Sequence, residues 1–107
     1  MTGITISTKD TALNVWNVYY DGVQIVWTRS GVPAIRMDMA HFNSAITRFF
    51  NTATTDAIVL TDPLGNTTTM ALDVAAPPNL TITTAQANGA FSMLDVVRIL
   101  AFLQQTD

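Results

Sequence analysis

Apolar and polar residues alternate with a period of two along much of this chain, and the period lengthens to that of a helix at two places. "GITIST" sets Ile4 and Ile6 between polar positions, the pattern of a strand with one wet face. "TALNVWNVYY" and "VQIVWTR" flank Asp21-Gly22, a dipeptide suited to the positive φ angles of a tight hairpin turn. A two-residue loop there predicts cross-strand pairs Tyr20–Val23, Val18–Ile25 and Trp16–Trp27, with all six residues on one inward face. The opposite face, with Val15, Asn17, Tyr19, Gln24, Val26 and Thr28, is mixed. "SGVP" interrupts the pattern and "AIRM" offers one more short strand. In "DMAHFNSAITRFFN" the apolar residues Met39, Phe42, Ile46, Phe49 and Phe50 fall on one helical stripe, and His41, Ser44, Thr47, Arg48 and Asn51 fall on the wet side. Asp38 is placed as the N-cap, with Met37 and Phe42 as a hydrophobic staple around it.

The second half echoes the first. "DAIVLT" reads as a strand, "DPLGN" as a turn, and "TTTMALDVA" as the return strand, with Met70, Leu72 and Val74 on one face. "APPN" is a stiff connection and "NLTITT" alternates again. "NGAFSMLDVVRILAFLQQ" predicts the final helix, with Ser92 and Asp95 as a capping pair and Phe91 and Val96 as its staple. The expectation is an α+β fold of antiparallel β-sheet with two helices, in the order ββββα-βββα. Residues 1–107 form a single domain, with 1–54 and 55–107 as candidate pseudo-repeat halves that share element order but no visible sequence identity.

The last helix is apolar almost all round. Only Ser92, Asp95 and Arg98 form a polar stripe. One sheet covers one side of a helix, so the other side needs the first helix or a second subunit. Phe91, Leu94, Val97, Ile99, Leu100, Phe102 and Leu103 are therefore candidate subunit-interface residues, and the strands "GITIST" and "NLTITT" are candidate sheet edges for pairing with a partner.

Composition sharpens this picture. Apolar residues make up 49% of the 107 positions and charged residues only 12%, about half the usual charged share. Lys9 is the sole lysine, and all eight acids are aspartate. A surface this short of charge must be solvated by Thr, Asn and Gln or be covered by other chains. The net charge of −3 divides into +1 over residues 1–54 and −4 over 55–107, and neither half is a basic footprint for nucleic acid. No cysteine is present, so thiol and disulfide chemistry are excluded. The sole histidine, His41, is one helical turn from Asp38, but that carboxylate is better placed as the helix cap, and no nucleophile accompanies the pair. One histidine and scattered aspartates make no metal site, the isolated glycines make no phosphate-cradling loop, and no serine sits in a strand-to-helix elbow. The expectation is a protein that is not an enzyme, with no cofactor and no metal. "MTGITISTKD" has no signal-peptide pattern, and the longest apolar run, "MLDVVRILAFL", is too short to span a membrane.

Two resemblances follow. Strands then a helix, twice over, with Trp and Tyr on the strands, resemble the Whirly-like and Pur-type single-stranded nucleic-acid binders, whose sheets present aromatic rings to bases. That resemblance implies a stacking patch of Tyr19, Trp27, Arg29 and Arg36. The chain as a whole is similar in texture to small bacteriophage virion proteins (decoration or cement proteins, tail components, connectors): short, rich in Thr, Asn and Ala, poor in charge, free of cysteine, with Thr-rich strands such as "GNTTTMALDV" and an over-apolar helix. This second likeness implies a structural protein of a virion that associates with itself, as a homo-oligomer, or with other virion proteins. The alternatives are the nucleic-acid module, which would be cytoplasmic, and a small domain that encloses an apolar ligand between sheet and helices.

Overall fold

The computed structural model describes residues 3–52, 56–73 and 78–105. Four strands, β1 (Thr5–Lys9), β2 (Val15–Tyr20), β3 (Gln24–Arg29) and β4 (Val32–Asp38), lead into α1 (Met39–Thr52). Four more, β5 (Ile58–Thr61), β6 (Thr67–Asp73), β7 (Asn79–Thr83) and β8 (Asn88–Ser92), lead into α2 (Met93–Leu103). Each set forms an antiparallel meander, ordered β1-β2-β3-β4 and β5-β6-β7-β8. The α+β architecture of antiparallel sheets and two helices is thus as the sequence predicts, with one strand more in the second half. β8 occupies "NGAFS", where the start of the last helix was expected, because its alternation Gly89-in, Ala90-out, Phe91-in pairs with β7 from Asn79↔Ser92 to Thr83↔Asn88. β7 is consequently an interior strand, flanked by β6 and β8, and "NLTITT" is no sheet edge. Of the Met70, Leu72 and Val74 stripe, Met70 is buried and Leu72 half-buried, and Val74 lies outside the described residues.

The β2–β3 hairpin keeps the predicted inward face in a different register. Its pairs are Tyr20↔Ile25 and Val18↔Trp27, and Asp21 N–H donates to the Gln24 carbonyl, so Gly22 and Val23 form the turn centre. Gly22 takes the positive φ (104°), while the Asp21 carboxylate accepts hydrogen bonds from the Val23 and Gln24 amides. That Asx-type turn wins over a loop of Asp21-Gly22 because it satisfies both amides locally. The shift is even, so Trp16, Val18, Ile25 and Trp27 still point the same way, and all four are fully buried. Val23 moves into the turn and is exposed, and Trp16 lies beside Thr8 of β1 instead of opposite Trp27.

One core joins both halves. Trp16, Trp27, Phe42, Phe49 and Phe91 are its largest fully buried side chains, joined by Ile35, Met70, Leu80, Ile82 and Leu103. The Phe91 ring packs edge-on to Trp16 (centroids 5.5 Å apart) and tilted against Trp27 (4.8 Å), and Phe42 meets Trp27 from α1 (6.0 Å). The tryptophans therefore face the interior, which the rings of the second half complete.

Candidate docking surface

The two halves are built alike in detail. Residues Asp10–Asn14 between β1 and β2 and Asp62–Asn66 between β5 and β6 form the same loop. In each, one carboxylate oxygen accepts the amides two and four residues on, and the other accepts the Asn side-chain amide. In each, the Asp N–H donates to the Asn carbonyl, and the residue before that Asn has positive φ (Leu13, 68°; Gly65, 86°). Asp10 adds a bond absent from the second loop: the buried Trp16 indole Nε1 donates to its Oδ2 at 3.0 Å. Burial would raise the Asp10 pKa, but the bonds from Trp16, Asn14 and Ala12 outweigh it and hold the carboxyl below its ordinary value. Asp62 is held below its ordinary value by the Asn66 side-chain and backbone donors. Each helix also starts alike. Met39 N–H donates to the Val23 carbonyl just before β3, and Met93 N–H to the Pro78 carbonyl just before β7.

This correspondence aligns the helices with an offset of 54 residues. Met39, Phe42, Ala45, Ile46 and Phe49 are buried in α1, and Met93, Val96, Ile99, Leu100 and Leu103 are buried at the matching positions of α2. From Met39/Met93 to Asn51/Gln105, the burial class agrees at every pair except His41/Asp95. Several outward positions differ in chemistry, while the exposed Ser44 of α1 corresponds to the exposed Arg98 of α2. Ala40, Asn43, Thr47 and Arg48 of α1 correspond to Leu94, Val97, Ala101 and Phe102 of α2. Leu94 is 60% exposed and Phe102 36%. Phe50, at the end of α1, is the reverse case: it is 60% exposed and its α2 counterpart is the polar Gln104.

The candidate interface residues therefore divide. Phe91, Ile99, Leu100 and Leu103 belong to the core of their own chain, whereas Leu94, Val97 and Phe102 remain on or near the surface. Phe91 is a strand residue. The expected capping pair is not formed, since the Ser92 side chain makes no cap hydrogen bond. In α1 the cap does form, with His41 N–H donating to Asp38 Oδ1 at 3.1 Å, and Phe50 turns outward where the stripe placed it inward. Sheet 1 is bordered by β1 and β4 and sheet 2 by β5 and β8, and the Thr11 amide donates to Ala90 of β8, which links the sheets on that side.

The proposed stacking residues are dispersed. Trp27 is fully buried on the inner face. Tyr19 and Arg36 lie on the outer face in one row, through Tyr19↔Val26 and Val26↔Arg36. Arg29 sits over the Trp16 ring, 5.9 Å from its centroid. A cleft of about 850 Å³ opens between the halves, lined by Val23, Ala34, Arg36, Asp38 and His41 on one side and Leu60, Asp62, Asn66 and Thr67 on the other. Its mixed, open lining differs from the closed apolar pocket expected of a domain for an apolar ligand. Among the described residues no cluster of His and Asp is arranged to hold a metal ion, and no helix is long and apolar enough to cross a membrane.

No protein-family model, curated protein or solved structure matches this chain.

Proposed function

We propose that this protein is an assembly subunit that acts by protein–protein association through the outward face of α2, as a structural component of a virus particle. One observation carries the reading. At three matching outward positions α1 bears Asn43, Thr47 and Arg48 where α2 bears Val97, Ala101 and Phe102, and at a fourth the small Ala40 stands where α2 exposes Leu94. Water is the neighbour that the α1 face suits. Leu94, Val97, Ala101 and Phe102 suit a protein surface, where their burial contributes roughly 25 cal/mol per Å² removed from water. The low charge of the chain and its texture support the particle setting. Sedimentation velocity tests the reading. The wild-type chain should associate with rising concentration, and Leu94→Lys should weaken association while leaving the unfolding transition in place. A wild-type chain that stays monomeric and binds no particle fraction would count against it.

A second reading, a single-stranded nucleic-acid module, is favoured by the doubled ββββα order and by the Tyr19–Arg36 row on an outer sheet face. Burial of both tryptophans and the net charge of −3 weigh against it. Anisotropy of a labelled oligonucleotide should stay flat at physiological salt.

A further inference from the structure

We infer that Arg29 and the β7–β8 turn form a binding site for a carboxylate group. The site shares no residue with the α2 surface. Strand register positions the arginine: Asn17 pairs with Thr28, so the next step along the ladder sets Arg29 beside Trp16. Its guanidinium lies over the indole ring, 5.9 Å from the centroid. At the edge of that ring, Nε1–H donates to Asp10 Oδ2 at 3.0 Å. The Asp10 bond fixes the indole, and the indole in turn holds the half-buried guanidinium. Arg29 has no ion-pair or hydrogen-bond partner among the described residues. A guanidinium carries five N–H donors, and taking them from water costs free energy that a cation–π contact returns only in part.

Arg29 borders a pocket of about 340 Å³ between the end of the β3–β4 hairpin and the β7–β8 turn. Val32, Thr84, Gln86 and Asn88 also line it, and Arg29 is the one charged residue among the described residues of the lining. Within the turn, Thr84 Oγ1 accepts the Gln86 and Ala87 amides, and the Thr84 amide donates to the Ala87 carbonyl, so the wall is fixed by its own bonds. The Gln86 and Asn88 side chains are exposed, and their amide groups can donate beside the cation. A planar fork flanked by neutral donors, with no acid in the lining, suits a carboxylate, which a guanidinium grips through two parallel bonds. The larger cleft is different, because Asp38 and Asp62 line it alongside Arg36 and already supply negative charge. The pocket has room for a small organic acid or for the acidic side chain of a peptide, and the contacting chemistry of the two is the same.

Nuclear magnetic resonance of the full chain tests the site. Glutarate and an acetylated, amidated Ala-Glu-Ala peptide are titrated separately, with sodium chloride at matched ionic strength as the control. The Arg29 Nε–H and Asn88 side-chain amide signals should shift saturably with at least one carboxylate probe and not with chloride. Tighter binding of the peptide names a protein side chain as the source of the carboxylate, and tighter binding of glutarate names a free acid. Arg29→Gln should weaken binding about tenfold or more, whereas Arg36→Gln, in the larger cleft, should leave it unchanged. The wild-type titration decides the matter even where Arg29→Gln, deprived of its indole contact, folds poorly. Saturation by neither probe, an equal response to chloride, or an equal loss in Arg36→Gln would overturn the inference.

Discussion

Removing the Asp10 carboxylate should unfold this protein at markedly lower denaturant than removing its counterpart Asp62. Both carboxylates close the same loop, through two backbone amides and one Asn side chain. Only Asp10 also receives the indole N–H of Trp16, a residue with no exposed surface. Asp10→Ala leaves that donor buried without an acceptor, which costs about 1–3 kcal/mol, and forfeits turn hydrogen bonds worth on the order of 1 kcal/mol each after exchange with water. With three such turn bonds the sum is about 4–6 kcal/mol, a large share of the roughly 5–15 kcal/mol that stabilises a domain. At roughly 4–8 °C per kcal/mol for a domain of this size, the thermal midpoint should fall by about 16–48 °C. Urea unfolding followed by far-UV circular dichroism measures the loss of free energy, and a thermal scan with the same signal the shift of midpoint, neither relying on the altered tryptophan. Asp62→Ala, whose loop is exposed, should cost clearly less. In an Asp10→Ala background, Trp16→Phe removes the stranded N–H, so the double mutant should be less destabilised than the two single changes added together. Equal losses for Asp10→Ala and Asp62→Ala, or strict additivity in the cycle, would refute the reasoning.

Three further outcomes are expected. Gly89→Ala should destabilise by about 1–3 kcal/mol in calorimetry, because the new Cβ would stand 2.9 Å from the Phe91 ring and 3.1 Å from that of Trp16, and both rings are fixed in the core. Leu13→Gly should be neutral to stabilising by roughly 0.5–1 kcal/mol, since Leu13 holds the left-handed conformation that Gly65 supplies in the second loop, and the relief exceeds the entropic cost of glycine. Because the folded-state pKa of Asp10 lies below its ordinary value of 3.8, its stabilising contribution is full above that value and is lost as pH falls through the depressed folded pKa. Acid titration should therefore show a steeper loss of stability below about pH 4 in the wild type than in Asp10→Asn.

Much of the fold was legible because period and punctuation agreed. Alternation around Trp16 and Trp27, the Asp38 cap and the α1 stripe each pointed to the observed element. β8 was hidden because "NGAFS" runs straight into an apolar helix, so Phe91 could be assigned to either element; its partners Leu80 and the two tryptophans decide the matter, and they are distant in sequence. The hairpin register slipped because the Asp21 side chain was not counted as a hydrogen-bond acceptor in the turn. A signal for the shared loop was present and passed over. Asp and Asn recur four apart at residues 10–14 and 62–66, each pair just after a strand of alternating pattern. As for the surface, the excess of apolar residues on the last helix could be read from the sequence. Which of them remain outside could not, because the core takes Ile99, Leu100 and Leu103 by the geometry of packing on β2, β7 and β8.

The most direct measurement compares charge placed on the two equivalent helix faces. Leu94→Lys in α2 and Ala40→Lys in α1 occupy matching exposed positions. In sedimentation velocity across a concentration series, Leu94→Lys should shift the protein toward monomer and Ala40→Lys should behave as wild type. Identical behaviour of the two variants would contradict the claim that α2 carries the contact surface.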